Sequence, residues 1–416
     1  MKKIVINGGK TLSGTIEVSG AKNSAVALLP ASILCDEYSD IYNVPNITDK
    51  NALIDIITLL NGKVEEENGR LRIDTHDIKS VPIPNELSSK LRASYYFIGS
   101  LLGRNHHVEI SFPGGCQIGE RKIDYHLKGF KALGATVEEK NGMFYVNADE
   151  LIGTKIYLDF ASVGATINIM LAAVKAKGTT IIRNAAKEPE IVNIATYLNN
   201  MGAKISGAGT SKITIIGVEY LHKSMIEVIP DRIEAGTYLI AGALIGKNLR
   251  IKNVIREHLI ALISKLTEMG YNFDIKENEI TISAIDKPKN VSITTLIYPG
   301  FPTDLAQPMT TLLTKCHGTS YLEETIYSNR MGQVPSLNKM GANIKVENNR
   351  AFITGPTDLN GDVVEGTDLR CCASLVLAGL IANGETTVLN VEHLLRGYEN
   401  IVEKLSAVGA DIKLID

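Results

Sequence analysis

The sequence predicts an α/β protein of two domains, each built from three copies of one unit with helices packed inside and sheets outside. Two observations lead there. A pattern of helix, Gly, strand, turn and strand recurs six times. A second helix in each copy opens on small or polar residues and then turns apolar, as a buried helix does. Length agrees, because single cores stop growing near ~250–300 residues and this chain has 416.

The repeated glycines are Gly62, Gly134, Gly202, Gly270, Gly341 and Gly409, spaced by 72, 68, 68, 71 and 68 residues. Each follows an amphipathic helix, as with Ile191, Ala195, Leu198 and Met201 before Gly202. A left-handed residue just past a helix end suits glycine, which has no side chain to penalise. The segments after it alternate as strands do. Asn141-Gly142 and Asn348-Asn349 read as hairpin turns. The second helices open at Ser19-Gly20-Ala21-Lys22-Asn23, Lys90-Leu91-Arg92, Ser162-Val163-Gly164, Asp231-Arg232-Ile233-Glu234, Phe301-Pro302-Thr303-Asp304 and Thr367-Asp368-Leu369-Arg370.

A net charge of −3 offers no basic excess for nucleic acid or a membrane surface. The apolar runs near 25–35 and 374–382 are too short to span a bilayer. Five scattered cysteines, Cys35, Cys116, Cys316, Cys371 and Cys372, lack metal-ligand spacing, and a reducing cytoplasm is the expected location. No metal set is expected among the eight histidines either.

Lys22, Arg92, Gly164, Glu234, Asp304 and Arg370 share one place in the six copies, at helix N-termini. Unpaired N–H groups and the macrodipole favour anions there. The small and polar members also serve as ordinary caps. Lys22, Arg92 and Arg370 oppose the dipole, so they call for an anionic ligand. Between the strand at 107–111 and a helix from about Ile123 runs Pro113-Gly114-Gly115-Cys116-Gln117-Ile118-Gly119-Glu120-Arg121. A glycine-flanked cysteine on such a loop is unlike a buried one, and nearby Arg121 and His126 are expected to favour its thiolate. Cys35, Cys316 and Cys372 read as packing residues.

These segments, with Glu188-Pro189-Glu190, Asn329-Arg330 and Arg396-Gly397-Tyr398-Glu399, resemble the UDP-N-acetylglucosamine enolpyruvyl transferase family from end to end. The resemblance implies two inside-out α/β barrel-like domains of three repeats each, the enolpyruvyl transferase fold. It implies a domain over 22–229 carrying Cys116, a second over 1–21 and 230–416, and an active site in the cleft where they face. It implies transfer of the enolpyruvyl group of phosphoenolpyruvate to the 3-hydroxyl of UDP-N-acetylglucosamine, the first committed step of peptidoglycan precursor synthesis. No cofactor, no metal and no obligate protein partner are implied.

By the same resemblance Lys22, Asn23, Arg121, Arg370 and Arg396 hold phosphoenolpyruvate, with Asp368 beside them. Asn23, Arg92, Arg121, Lys122, Ile123, Asp124, Tyr125, Ser162, Val163, Gly164, Asp304, Ile326 and Tyr327 contact the sugar nucleotide. Asp304 is the base for the hydroxyl, while Cys116 and Lys22 compete as proton donor to C3, with Arg396 completing the catalytic set. Phe160, Ser328, Met331, Cys371 and Cys372 depart from the family pattern. The chemistry agrees with these residue types. A doubly anionic substrate needs Lys and Arg, and an addition–elimination needs an acid and a base. The nearest rival is the sister transferase acting on shikimate 3-phosphate. A six-repeat clamp around DNA would want a basic inner face. A cysteine hydrolase would need His126 activated by a partner such as Asp124.

Overall fold

The computed structural model describes residues 2–67, 69–114 and 123–416. The buried apolar residues form two separate cores. One draws on residues from Ala21 to Val228. The other joins Ile4, Ile6, Leu12, Ile16 and Val18 to residues from Ile233 onward. The described chain divides accordingly into one unit of 20–114 and 123–229 and another of 2–19 and 230–416.

Strands are hydrogen-bonded into six sheets, three in each unit. One sheet shows the shared plan. Lys155–Tyr157 runs parallel to Thr179–Arg183, which pairs antiparallel with Lys212–Ile216, which pairs in turn with Lys204–Ser206. Alternation selects the inward face: Ile182, Ile213 and Ile215 are buried, whereas Arg183 and Lys212 are exposed. Five sheets carry four strands. The sixth has three among the described residues, and Ile83 bridges to Ile110 where its siblings carry the fourth.

The N-terminal segment explains why one unit is discontinuous. Lys3–Asn7 lies between Glu385–Leu389 and Asp411–Ile415, with Ile4 opposite Leu414 and Ile6 opposite Ile412. Leu12–Glu17 then runs parallel to Gly246–Lys252. Two sheets of the unit that ends the chain are thus completed by the residues that begin it.

Inside each unit three helices are buried almost all round. They are Lys22–Ala31, Tyr96–Asn105 and Val163–Ala173 in one, and Arg232–Ile245, Ala306–Leu313 and Leu369–Ile381 in the other. Glycine lets two of them touch. A Cβ on Gly99 would sit 2.4 Å from the Asn168 carbonyl oxygen, and Gly99 N–H donates to Asn168 Oδ1 at 2.8 Å. In the other unit Thr311 and Ser374 hydroxyls bond between helices at 2.9 Å. These contacts satisfy polar groups that burial would otherwise leave costly. Among the described residues no helix is long and apolar enough to cross a membrane.

The amphipathic helices end as the repeat predicts, with one correction. Gly134, Gly202, Gly270, Gly341 and Gly409 all have φ between 99° and 108°. In the first copy the left-handed residue is Asn61 at φ 72°, not Gly62. Asparagine tolerates that region through its short polar side chain. Gly62 therefore stands where the other copies have Ala135, Ala203, Tyr271, Ala342 and Ala410. The two hairpins close on two-residue turns, as Lys140 opposite Met143 and Glu347 opposite Arg350 show.

An alanine at Gly270 would meet only Ile285 Cδ1, at 3.6 Å, so conformational strain dominates its effect. Gly270→Ala should cost roughly 1–2 kcal/mol, read as a lower urea midpoint for the unit that contains it.

Candidate active site

A cluster of charged side chains in the 230–416 unit is built around Asp304. Pro302 is extended and feeds the short 3-10 turn Thr303–Leu305, which leads into helix Ala306–Leu313. Arg370 is the second residue of helix Leu369–Ile381, whose N-cap Asp368 accepts from the amides of Arg370 at 2.8 Å and Cys371 at 3.1 Å. That carboxylate also offsets the unfavourable placing of an arginine at a helix N-terminus. Asp304 Oδ1 accepts from Arg330 Nη2 at 2.6 Å and Oδ2 from Arg370 Nη2 at 3.1 Å. Both arginine side chains are almost wholly buried, whereas that of Asp304 is 23% exposed. Burial pushes the Asp304 pKa up, but the guanidiniums of Arg370, Arg330 and Arg232 outweigh it and hold the carboxyl well below its usual range. Asp368 and Asp231 add their own negative charge to the same arginines, so the cluster is a buried network of alternating charges.

The surroundings hold this cluster in place. Arg370 lies over the Tyr398 ring at 5.4 Å, and Tyr398 Oη bonds Thr237 Oγ1 at 2.8 Å. Arg396 is half-buried two residues before Tyr398, just past the short helix Glu392–Leu395. Arg330 donates to Thr303 Oγ1 at 2.9 Å and lies over the Tyr327 ring at 5.2 Å. Gln307 Nε2 donates to Asp368 Oδ2 at 3.2 Å and to Gln333 Oε1 at 3.1 Å, a buried polar floor. Ile326 and Tyr327 follow strand Gly318–Glu323, and their amides donate to the Glu324 carboxylate.

The 20–229 unit gathers most of the other candidates. Lys22 opens helix Lys22–Ala31, which has no side-chain cap, and its Nζ lies 3.1 Å from Asp49 Oδ2. Asn23 follows it, half-buried. Arg92 opens the 3-10 turn Arg92–Tyr95 and lies 5.7 Å from the Tyr95 ring centre. The Tyr95 ring packs edge-on against His126, with centroids 4.6 Å apart. Gly164 fits against both, since a Cβ there would fall 2.7 Å from Tyr95 Oη and 3.0 Å from His126 Cε1. Ser162 caps helix Val163–Ala173 by accepting from Ala165 N–H at 3.3 Å. Segments near 92, 123–126 and 162–164 therefore meet. Ile123 is buried, Asp124 exposed and Tyr125 half-buried, while Phe160 is 41% exposed.

Cys116, Arg121 and Lys122 lie outside the described residues. His126 corrects the expectation placed on it. It is buried, its Nδ1 faces Asn168 Nδ2 at 3.0 Å, and burial together with the charge of Arg92 pushes its pKa down to about 3. A neutral imidazole supplies no positive charge to stabilise a thiolate, and among the described residues no carboxylate bonds it as a hydrolase base would need. Cys35, Cys316 and Cys371 are fully buried, and burial pushes their thiols up to about 11, 12 and 11. Cys372 is equally buried. All four are packing residues.

Sequence reasoning assigned no role to Arg330, Arg232, Glu324 or Asp49. Arg330 and Arg232 stand inside motifs already singled out, and an Asp304 needing counter-charge was the available signal. Nothing in the sequence marks Asp49 as the partner of Lys22.

The family model described as EPSP synthase (3-phosphoshikimate 1-carboxyvinyltransferase) matches residues 6–405. The UDP-N-acetylglucosamine 1-carboxyvinyltransferase 2 of Listeria monocytogenes is 53% identical over 410 residues, covering 99% of this chain and 97% of that protein. The protein of the same name from Bacillus cereus is also 53% identical, over 99% of this chain and 96% of its own length. Among solved structures, the enolpyruvyl transferase NikO from Streptomyces tendae superposes with a TM-score of 0.90 at 27% identity, covering 99% of this chain and 98% of that one. The EPSP synthase of Acinetobacter baumannii gives 0.78 at 18% identity over 100% of both chains, a likeness of fold.

The buried imidazole yields a measurable consequence. The His126 ring should stay neutral from pH 8 to about 5 when followed by NMR, because its folded pKa of about 3 lies below the ordinary 6.5. Unfolding lets it take up a proton, so it should lower stability as pH falls from about 6.5 toward 3. A ring titrating near 6.5 in the folded protein would overturn the assignment.

Proposed function

We propose that this chain, which belongs to the EPSP synthase (3-phosphoshikimate 1-carboxyvinyltransferase) family, moves the enolpyruvyl group of phosphoenolpyruvate to the 3-hydroxyl of UDP-N-acetylglucosamine and releases phosphate. The observation that carries the choice of acceptor is 53% identity over 99% of the chain to relatives named for that sugar nucleotide. The likeness to the EPSP synthase structure, at 18% identity, speaks for the fold alone. The reaction then supplies peptidoglycan precursor synthesis.

Residues of both units serve the one reaction in this reading. Phosphoenolpyruvate brings a carboxylate and a phosphate. Lys22, Arg121, Arg370 and Arg396 hold it, with Asn23 beside them. The fixed placing of the Arg370 guanidinium between Asp304 and the Tyr398 ring supports it in that role. The C3 methylene of phosphoenolpyruvate takes a proton from Cys116 or Lys22, leaving C2 cationic. The sugar 3-hydroxyl attacks C2 as Asp304 takes its proton. The tetrahedral ketal then loses the C3 proton and expels phosphate, which restores the vinyl group on the new ether.

The electrostatics of Asp304 bear on this step. Clamped by Arg330 and Arg370, it is fully ionised but only weakly basic. An anion that draws the Arg370 charge toward itself raises the Asp304 pKa, since less positive charge then stabilises the carboxylate. Phosphoenolpyruvate thus strengthens the base that its own addition requires. The acceptor is read by Arg92, Lys122, Ile123, Asp124, Tyr125, Ser162, Val163, Gly164, Ile326 and Tyr327. The His126 imidazole, neutral beneath Arg92 and Gly164, lets that wall pack without a further charge.

Phosphate release with phosphoenolpyruvate should depend on UDP-N-acetylglucosamine and be absent with shikimate 3-phosphate; the reverse pattern would sink this reading. Cys116→Ala should lower turnover by orders of magnitude while nucleotide binding persists. Asp304→Asn should lower kcat by about 10²–10⁴-fold, as loss of a general base does. Arg396→Ala should act mainly on the KM for phosphoenolpyruvate.

A further inference from the structure

Glu324 has no part in the chemistry above, yet its side chain is buried and accepts hydrogen bonds from four donors. A carboxylate has no proton to give, so the Thr295 hydroxyl, which accepts from the Thr325 amide at 2.9 Å, donates to Glu324 Oε1 at 2.9 Å. The amides of Ile326 and Tyr327 donate to the same oxygen at 2.8 and 3.1 Å. A guanidinium can only donate, so Thr303 Oγ1 accepts from Arg330 Nη1 at 2.9 Å. The Thr303 proton is then left to point at Glu324 Oε2, 2.7 Å away. The other terminal nitrogen of Arg330 reaches Asp304 Oδ1 at 2.6 Å.

A chain of oriented bonds therefore runs from Glu324 through Thr303 and Arg330 to Asp304. The other oxygen of Glu324 fixes the backbone of Ile326 and Tyr327. We propose that Glu324 is a positioning residue for the acceptor side of the transfer: it aligns Thr303 and Arg330 on Asp304 and sets the Ile326–Tyr327 backbone against the acceptor nucleotide. The inference rests on the acceptor assigned under the proposed function. It explains why a carboxylate occupies this buried position, because only an ionised carboxylate offers enough lone pairs to accept from all four donors without presenting a proton to any.

Glu324→Gln tests it at nearly constant volume. The amide nitrogen has no lone pair to offer, so whichever way the group turns, an N–H faces a donor. Thr303 then loses its fixed orientation and Arg330 its hold on Asp304. The KM for UDP-N-acetylglucosamine should rise about 10-fold and kcat fall about 10-fold, with the KM for phosphoenolpyruvate within about 2-fold of wild type. Glu324→Asp keeps the charge and should recover part of both losses. Glu323→Gln alters the neighbouring residue, paired with Arg350 at 3.2 Å, and should behave as wild type. In carbon-13 NMR the Asp304 carboxyl should titrate higher in Glu324→Gln than in wild type, because loosening Arg330, which bonds it directly, outweighs the loss of the more remote Glu324 charge.

Unchanged kinetics in Glu324→Gln would overturn the proposal. So would a loss shared equally by both KM values, alongside a lower melting temperature and an unmoved Asp304 titration, which marks a purely structural role. Should wild-type enzyme fail to turn over UDP-N-acetylglucosamine, the proposed function falls instead. The Asp304 titration then still decides whether Glu324 controls Arg330.

Discussion

The carboxylate of Asp304 sits between the buried guanidiniums of Arg330 and Arg370, with Arg232 adding a third positive charge. Taking such groups out of water is expensive, and removing one partner of a buried pair costs about 3–5 kcal/mol. The surrounding structure is arranged around that demand. Asp368 caps the helix that carries Arg370, and Gln307 braces Asp368 in turn. Tyr327 and Tyr398 lie against the two arginines, and Thr303 shares Arg330 with Asp304. Together the guanidiniums hold the Asp304 carboxyl well below its usual range.

Repetition supplies the scaffold and leaves the chemistry to individual copies. Six equivalent helix N-termini carry Lys22, Arg92, Gly164, Glu234, Asp304 and Arg370. Asp304 and Arg370 meet one another across two copies. Glu234 does something different at the same repeat position. It is buried, accepts from Ser19 N–H at 2.8 Å and from Lys404 Nζ at 2.7 Å, and so fastens the N-terminal segment to helix Arg232–Ile245. Gly164 is there to let Tyr95 and His126 approach. One backbone solution thus serves as anchor, spacer or carrier of a buried charge, according to the side chain placed on it.

The 20–229 unit meets its charges in another way. Lys22 opposes its helix dipole and lies against Asp49 from the next, amphipathic helix, Thr48–Leu59. Arg92 is followed by Tyr95, and His126 below it is kept neutral by burial and by the arginine itself. Neutrality matters physically, because a second cation buried there would repel Arg92 and raise the cost of the fold.

The sequence by itself determined the repeat, the two-fold division and the residue types at the helix N-termini. Those features are local: a helix end that needs a left-handed residue, a strand that alternates, a helix that is apolar all round. Even there it pointed to Gly62 where the left-handed residue is Asn61, because both residues tolerate positive φ and only the backbone path chooses between them. It nominated Asp304 and Arg370 and placed Arg330 inside a motif. Only the tertiary structure decided that Arg330 closes on Asp304, that Lys22 meets Asp49, that Glu324 gathers four donors, and that His126 is neutral. Each of these depends on distance and burial between residues far apart in the chain, and charge energies follow separation and solvent access rather than sequence order.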